Sequence, residues 1–143
     1  MSSPMCERNL LLKIDSQSEP ECCRPLRWSH SVHAPCFPPG FIEYVESNKV
    51  HVLGICYGLQ LIVQQLGGEV RVGEKQEYGR MEIAVEKAVG LFGKKNIGDR
   101  QSVWMSHGDE AVKLPEGFEV VARSRQGAVA AVETPGRRFY GLQ

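Results

Sequence analysis

The chain has no surplus of either charge: 17 Lys and Arg residues balance 17 Asp and Glu residues. That balance argues against a basic stripe for nucleic acid and against an acidic tail for a basic partner. The small basic groups at 123–125 and 137–138 read as solvated turn residues. Long apolar runs are missing too. No stretch approaches the roughly 18–20 residues that span a bilayer, and the three-Leu run at 10–12 is too short for a secretory signal. The expectation is a cytoplasmic protein with neither nucleic acid nor a membrane as partner.

A disulfide framework is also lacking. The five cysteines are an odd number without scaffold-like spacing, and Cys6, Cys22, Cys23 and Cys36 all precede residue 40. His30, His33 and Cys36 form an H-x2-H-x2-C run of metal-ligand types. Cys22 and Cys23 are adjacent, however, and there is no C-x2-C pair, so no metal site is expected. Internal repeats and a Gly-rich phosphate loop are absent. What remains is material for one domain and one core, with 42% hydrophobic residues in 143.

Residues 1 to about 40 are rich in Ser, Pro, Cys and charge, keep no period of 2 or 3.6, and read as loop or disorder. Regular signals begin after Pro39. Phe41, Ile42 and Val45 have helical spacing, and "VHVLGI" (50–55) reads as a strand buried on both faces. "YGLQLIVQQL" (57–66) puts Leu59, Ile62, Val63 and Leu66 on one helical face, stopped by Gly67-Gly68. "EVRV" reads as a strand and "GEKQEYG" as a polar loop. Strands are predicted at 80–88, 101–106, 118–124, 128–133 and 138–143, with turn residues between them. Helix, strand and helix followed by a run of strands predict an α/β fold with a parallel centre and an antiparallel extension.

The stretch "GICYG" carries the chemistry. A strand, then Gly-x-Cys-x-Gly, then a helix is the plan of a nucleophile elbow, with Gly54 and Gly58 letting strand and helix approach. Cys56 would sit at the helix N-terminus, where unpaired N–H groups favour thiolate. The Tyr57 N–H would point to where an oxyanion forms. The alternative is a small buried cysteine with no chemistry; strand before and helix after favour the elbow.

"GICYGLQ" resembles the nucleophile motif of class I (triad-type) glutamine amidotransferases. Tyr57, "VWMSHGD" (103–109) and "EKQEYGRMEI" (74–83) are similar to the amidotransferase domain of GMP synthetases. Three motifs in the family's order carry the resemblance, from about Ser31 to Gln143. It implies an incomplete three-layer α/β sandwich, flavodoxin-like, with a mostly parallel central sheet plus antiparallel strands. Residues 1–30 would be an unmatched leader and 31–143 a partial amidotransferase domain. Cys56 would attack the glutamine side-chain amide, form a glutamyl thioester and release ammonia. Gln60 would contact the substrate, and Ser106, His107 and Asp109 would hold its α-amino and α-carboxylate groups. On the residues alone, the alternatives are Gln60 as a plain polar residue on an exposed helix face and "SHGDE" as a turn with an Asp cap.

The resemblance also defines what is missing. The family takes its base and acid from a His-Pro-Glu segment after a strand resembling "RFYGLQ", and none of His30, His33, His51 or His107 stands there. At 27–33 "RWSHSVH" keeps only Ser31 and Val32 of the family's Gly-Gly-Pro-x-Ser-Val oxyanion loop. The first strand of the sheet is expected to be absent. The chain is therefore expected to be truncated at both ends and to hydrolyse glutamine poorly alone; the alternative is a catalytically dead interaction or regulatory fragment. The implied partners are glutamine and an ATP-pyrophosphatase synthetase domain. ATP and magnesium would belong to that domain, with no cofactor in this one.

Overall fold

The structure, a computed structural model, describes residues 9–11 and 36–143. Its sheet contains strands β1 (Asn9–Leu11), β2 (His51–Ile55), β3 (Glu69–Val85), β4 (Arg100–Lys113), β5 (Glu119–Ser124), β6 (Val129–Thr134) and β7 (Phe139–Leu142). Helix α1 (Phe41–Ser47) precedes β2, α2 (Tyr57–Gln65) follows it, and a 3₁₀ turn (Gly90–Phe92) lies between β3 and β4. The strand order is β1-β2-β7-β6-β5-β3-β4.

The predicted parallel centre and antiparallel extension are both present. β1 with β2 and β2 with β7 are parallel. The ladders β7–β6, β6–β5, β5–β3 and β3–β4 are antiparallel, so the antiparallel part is the larger.

Two local expectations and one alternative need correction. Asn9–Leu11 pair in register with His51–Leu53, so a strand flanks β2 where none was expected. The loop at "GEKQEYG" is part of the long strand β3, and "SHGDE" is part of β4. The reason is pairing. Backbone groups of a polar segment can join a ladder while alternate side chains stay in water. Here Val72 pairs with Asp109 and Glu77 with His107 across an irregularity. The remaining leader residues, with Cys22, Cys23, His30 and His33, lie outside the described residues.

The helices are set by the pattern that predicted them. Val45 of α1, Val52 of β2, Leu59, Ile62 and Val63 of α2, and Phe139 of β7 are fully buried in one cluster. Each such side chain contributes about 1.5–3 kcal/mol of burial. α2 ends at Leu66 and Gly67, whose φ of 94° suits a glycine and turns the chain toward β3. This cluster holds α2 against β2 and β7, which fixes the position of the residue between β2 and α2.

Candidate active site

That residue is Cys56. Its backbone has φ 52° and ψ −109°, a sparsely populated region for a side chain with a Cβ. The bend is held from both sides. Cys56 N–H donates to Leu142 O on β7 (2.6 Å), and Cys56 O accepts from Leu59 N (3.1 Å) and Gln60 N (3.3 Å). The two glycines of the motif differ in role. A Cβ at Gly54 would stand 2.5 Å from the Gly58 carbonyl carbon and oxygen and 2.6 Å from Ile62 Cδ1. A Cβ at Gly58 would meet nothing within 4 Å. Only Gly54 is needed for strand and helix to meet, because the helix backbone lies over Gly54 while the Gly58 Cβ direction is open.

The Cys56 thiol is partly buried and free of any disulfide. It donates to Ser106 O at 3.6 Å, and Gln143 Nε2 donates to the sulfur at 3.7 Å. Gln60, one turn along α2, is 6% exposed, which excludes a plain solvent-facing residue. Its amide nitrogen donates to Asp109 O (3.2 Å) and to Gln143 Oε1 (3.4 Å). Both amide hydrogens are thus committed, leaving the carbonyl oxygen as its remaining group.

Ser106, His107 and Asp109 lie on β4, so the structure brings every predicted site residue toward the start of α2. Ser106 is exposed and Asp109 half-buried. Among the described residues the Asp109 carboxylate has no hydrogen-bond or ion-pair partner; its backbone carbonyl takes the contacts. The His107 ring is turned inward, 4% exposed. Its Nδ1 meets Asp109 O at 3.1 Å and its Nε2 meets Glu77 Oε2 at 3.1 Å. Tyr57 projects beside the elbow, and partial burial pushes its phenol pKa up. Among the described residues no acceptor takes the Tyr57 N–H.

Three neighbours escaped sequence reasoning. Gln143 touches both Cys56 and Gln60. Glu77 and Ser124 are buried under His107, joined by Ser124 Oγ–H to Glu77 Oε1 at 2.6 Å. Glu77 had a signal: it continues the inward alternation of Gly79, Met81, Ile83 and Val85 along β3. Neither described histidine is hydrogen-bonded to Cys56. His51 lies at the start of β2, bonded to Tyr140 Oη (3.2 Å) and Arg138 Nη1 (3.2 Å). A cavity of about 280 Å³ lined by Glu46, Lys49, Gly136, Arg137 and Arg138 is at that same end, away from the thiol. Among the described residues no three His, Cys, Asp or Glu side chains converge as metal ligands, and no helix is long and apolar enough to cross a membrane.

The family profile described as glutamine amidotransferase class-I matches residues 37–143. A GMP synthase [glutamine-hydrolyzing] from Thermotoga petrophila is 50% identical over 110 residues, covering 77% of this chain and 20% of that protein. The Syntrophomonas wolfei protein of the same name is 44% identical over 105 residues, covering 73% of this chain and 20% of its own length. The chain thus spans about a fifth of these curated relatives. The crystal structure of a glutamine amidotransferase from Thermotoga maritima superposes with a TM-score of 0.62 at 27% identity, covering 71% of this chain and 43% of that one. Elbow, sheet and sequence agree: the chain belongs to the class I glutamine amidotransferase family and has its α/β fold.

Proposed function

We propose that this chain is the glutamine-binding amidotransferase portion of a glutamine-hydrolysing GMP synthase, with Cys56 as nucleophile. The observation that carries this is the elbow thiol at 3.6 Å from Ser106 O, beside a segment whose Asp109 carbonyl is held by Gln60. In the proposed step the thiolate adds to the side-chain carboxamide carbon of glutamine. Negative charge moves to the carbonyl oxygen, where the Tyr57 N–H donates to it. Collapse breaks the C–N bond. Ammonia leaves with a proton from a general acid, and water later cleaves the γ-glutamyl thioester to glutamate. The Asp109 carboxylate takes the substrate ammonium and Ser106 its carboxylate. Gln60 offers its carbonyl oxygen, and His107 supports the segment from the inner side.

The proton carrier is not among the described residues, since His51 and His107 are both engaged elsewhere. A cysteine hydrolase without its base loses several orders of magnitude in rate, so the rate of ammonia release reports whether a base reaches Cys56. In this proposal the ammonia goes to ATP-dependent amination of xanthosine monophosphate on a synthetase domain. The described residues do not fit a magnesium–nucleotide site, because no ligand cluster converges among them, and this proposal assigns ATP and magnesium to the synthetase domain.

A second reading is a glutamine-binding fragment without turnover, since neither described histidine is hydrogen-bonded to Cys56. A diazo-ketone analogue of glutamine tests the first part. Saturable labelling of Cys56, slowed by glutamine and lost in Cys56→Ser, is expected. Labelling that is not saturable, while iodoacetamide still reaches Cys56, rules the glutamine reading out. Ammonia release above the Cys56→Ser background then separates a catalyst from a binding fragment.

A further inference from the structure

We infer that Glu77 is a positioning residue for the segment 106–109, acting through His107 and anchored by Ser124; the inference rests on the glutamine-binding proposal above. The three side chains come from three adjacent strands, β3, β4 and β5. Glu77 is 0%, His107 4% and Ser124 6% exposed. A carboxyl group is costly to bury, and an apolar side chain of similar size is often at least as stable in such a place. A function other than stability is therefore needed to account for it.

The hydrogen bonds show what that function is. Ala128 N–H donates to Ser124 Oγ (3.1 Å), which leaves the Ser124 hydroxyl hydrogen for Glu77 Oε1 (2.6 Å). Glu77 Oε2 meets His107 Nε2 (3.1 Å). Asp109 O is an acceptor only, so His107 Nδ1 must carry a hydrogen toward it. A further hydrogen, on ring or carboxyl, is shared between Nε2 and Oε2. The chain of bonds ends on the Asp109 carbonyl that also receives Gln60 Nε2. That peptide is thereby fixed from the sheet interior and from α2 at once. Three residues earlier on the same strand, Ser106 O receives the Cys56 thiol.

Strand register is arranged to make this contact. Between the pairs Val72–Asp109 and Glu77–His107, β3 has four residues where β4 has only Gly108. An unbroken ladder from Val72–Asp109 would set Glu74 opposite His107. The three extra residues bring Glu77 there instead, as a bulge re-aims a side chain.

The test uses the full chain and three variants. Glu77→Gln keeps every bond, because its amide N–H supplies the hydrogen to His107 Nε2. Glu77→Ala removes the link, and Ser124→Ala removes its anchor together with the acceptor of Ala128 N–H. In Glu77→Ala, amide exchange of residues 106–110 read by mass spectrometry is expected to rise at least about tenfold, with helix 59–65 unchanged. The half-saturating concentration of the diazo-ketone analogue should rise about tenfold while iodoacetamide modification of Cys56 stays within about twofold. Glu77→Gln should restore both. Should Glu77→Ala not fold, Ser124→Ala decides, with exchange at 106–110 expected to rise about threefold. Exchange and analogue saturation unchanged in Glu77→Ala or, failing that, in Ser124→Ala overturn the inference; so does a Glu77→Gln chain as impaired as Glu77→Ala. If the parent chain is not labelled at all, the glutamine proposal fails, and the exchange comparison still decides the role of Glu77.

Discussion

At Cys56 the backbone is bent for the sake of the thiol. A φ of 52° with ψ of −109° costs on the order of 1–3 kcal/mol for a residue with a Cβ, and the bonds to Leu142, Leu59 and Gln60 hold it. In ordinary strands and helices Gly is about 0.5–1 kcal/mol worse than Ala. At position 56 the order is expected to invert, with Cys56→Gly unfolding at a temperature equal to or above that of Cys56→Ala, and neither labelled by the glutamine analogue. A Cys56→Ala chain clearly more stable than Cys56→Gly would show that the bend is not strained. Tyr57 adds a pH effect. Burial raises its folded pKa, so its contribution is complete below the ordinary phenol value of about 10 and is lost as pH rises through the folded value. Tyr57→Phe should remove that alkaline loss in a pH series of melts. The elbow was legible because glycines, strand and helix are local signals. The partners of the thiol were not: Gln143 is 87 positions away, and no spacing rule connects it to Cys56.

The first turn of α2 rests on a floor of two glycines. Gly54 and Gly141 are register partners on β2 and β7. A Cβ at Gly54 would strike the Gly58 backbone, and one at Gly141 would stand 2.8 Å from Leu59 Cγ and 2.9 Å from Val132 Cγ2. Backbone cannot yield as a side chain can. Gly54→Ala is therefore expected to cost about 3 kcal/mol or more and Gly141→Ala about 1–3, while Gly58→Ala is sterically tolerated. Because Leu59 is fully buried, Leu59→Ala alone should cost about 2–5 kcal/mol. In the double variant the new methyl at 141 enters the space left at 59. A double-mutant cycle by denaturant unfolding should give a total at least about 1 kcal/mol smaller than the sum; simple additivity would refute the floor. Sequence pattern located α1, α2 and six of the strands, since burial imposes their periods. It missed the continuity of β3 and β4 through polar residues. That continuity comes from pairing with a strand some thirty residues away, not from side-chain alternation.

The order of the whole sheet could not be read from the chain, because its centre joins distant residues such as Leu53 and Tyr140. β1 was invisible for a different reason. Three residues are too few to display alternation, and "NLL" looks the same in a loop. Its position matters to everything downstream. β2 lies between β1 and β7, and β2 ends at the elbow. Removing residues 1–11 would leave the backbone groups of His51–Leu53 unpaired along one edge, in a strand whose Val52 and Gly54 are buried. The shortened chain is expected to melt several degrees lower, at roughly 2–8 °C per kcal/mol lost, and to associate as concentration rises, seen by sedimentation. Loosening β2 also loosens Cys56 N–H against Leu142 O, so labelling by the glutamine analogue should slow more than modification by iodoacetamide. An unchanged melting temperature, with a monomer at all concentrations, would mean that Asn9–Leu11 contribute nothing to the sheet. The elbow would then be supported by β7 and α2 alone.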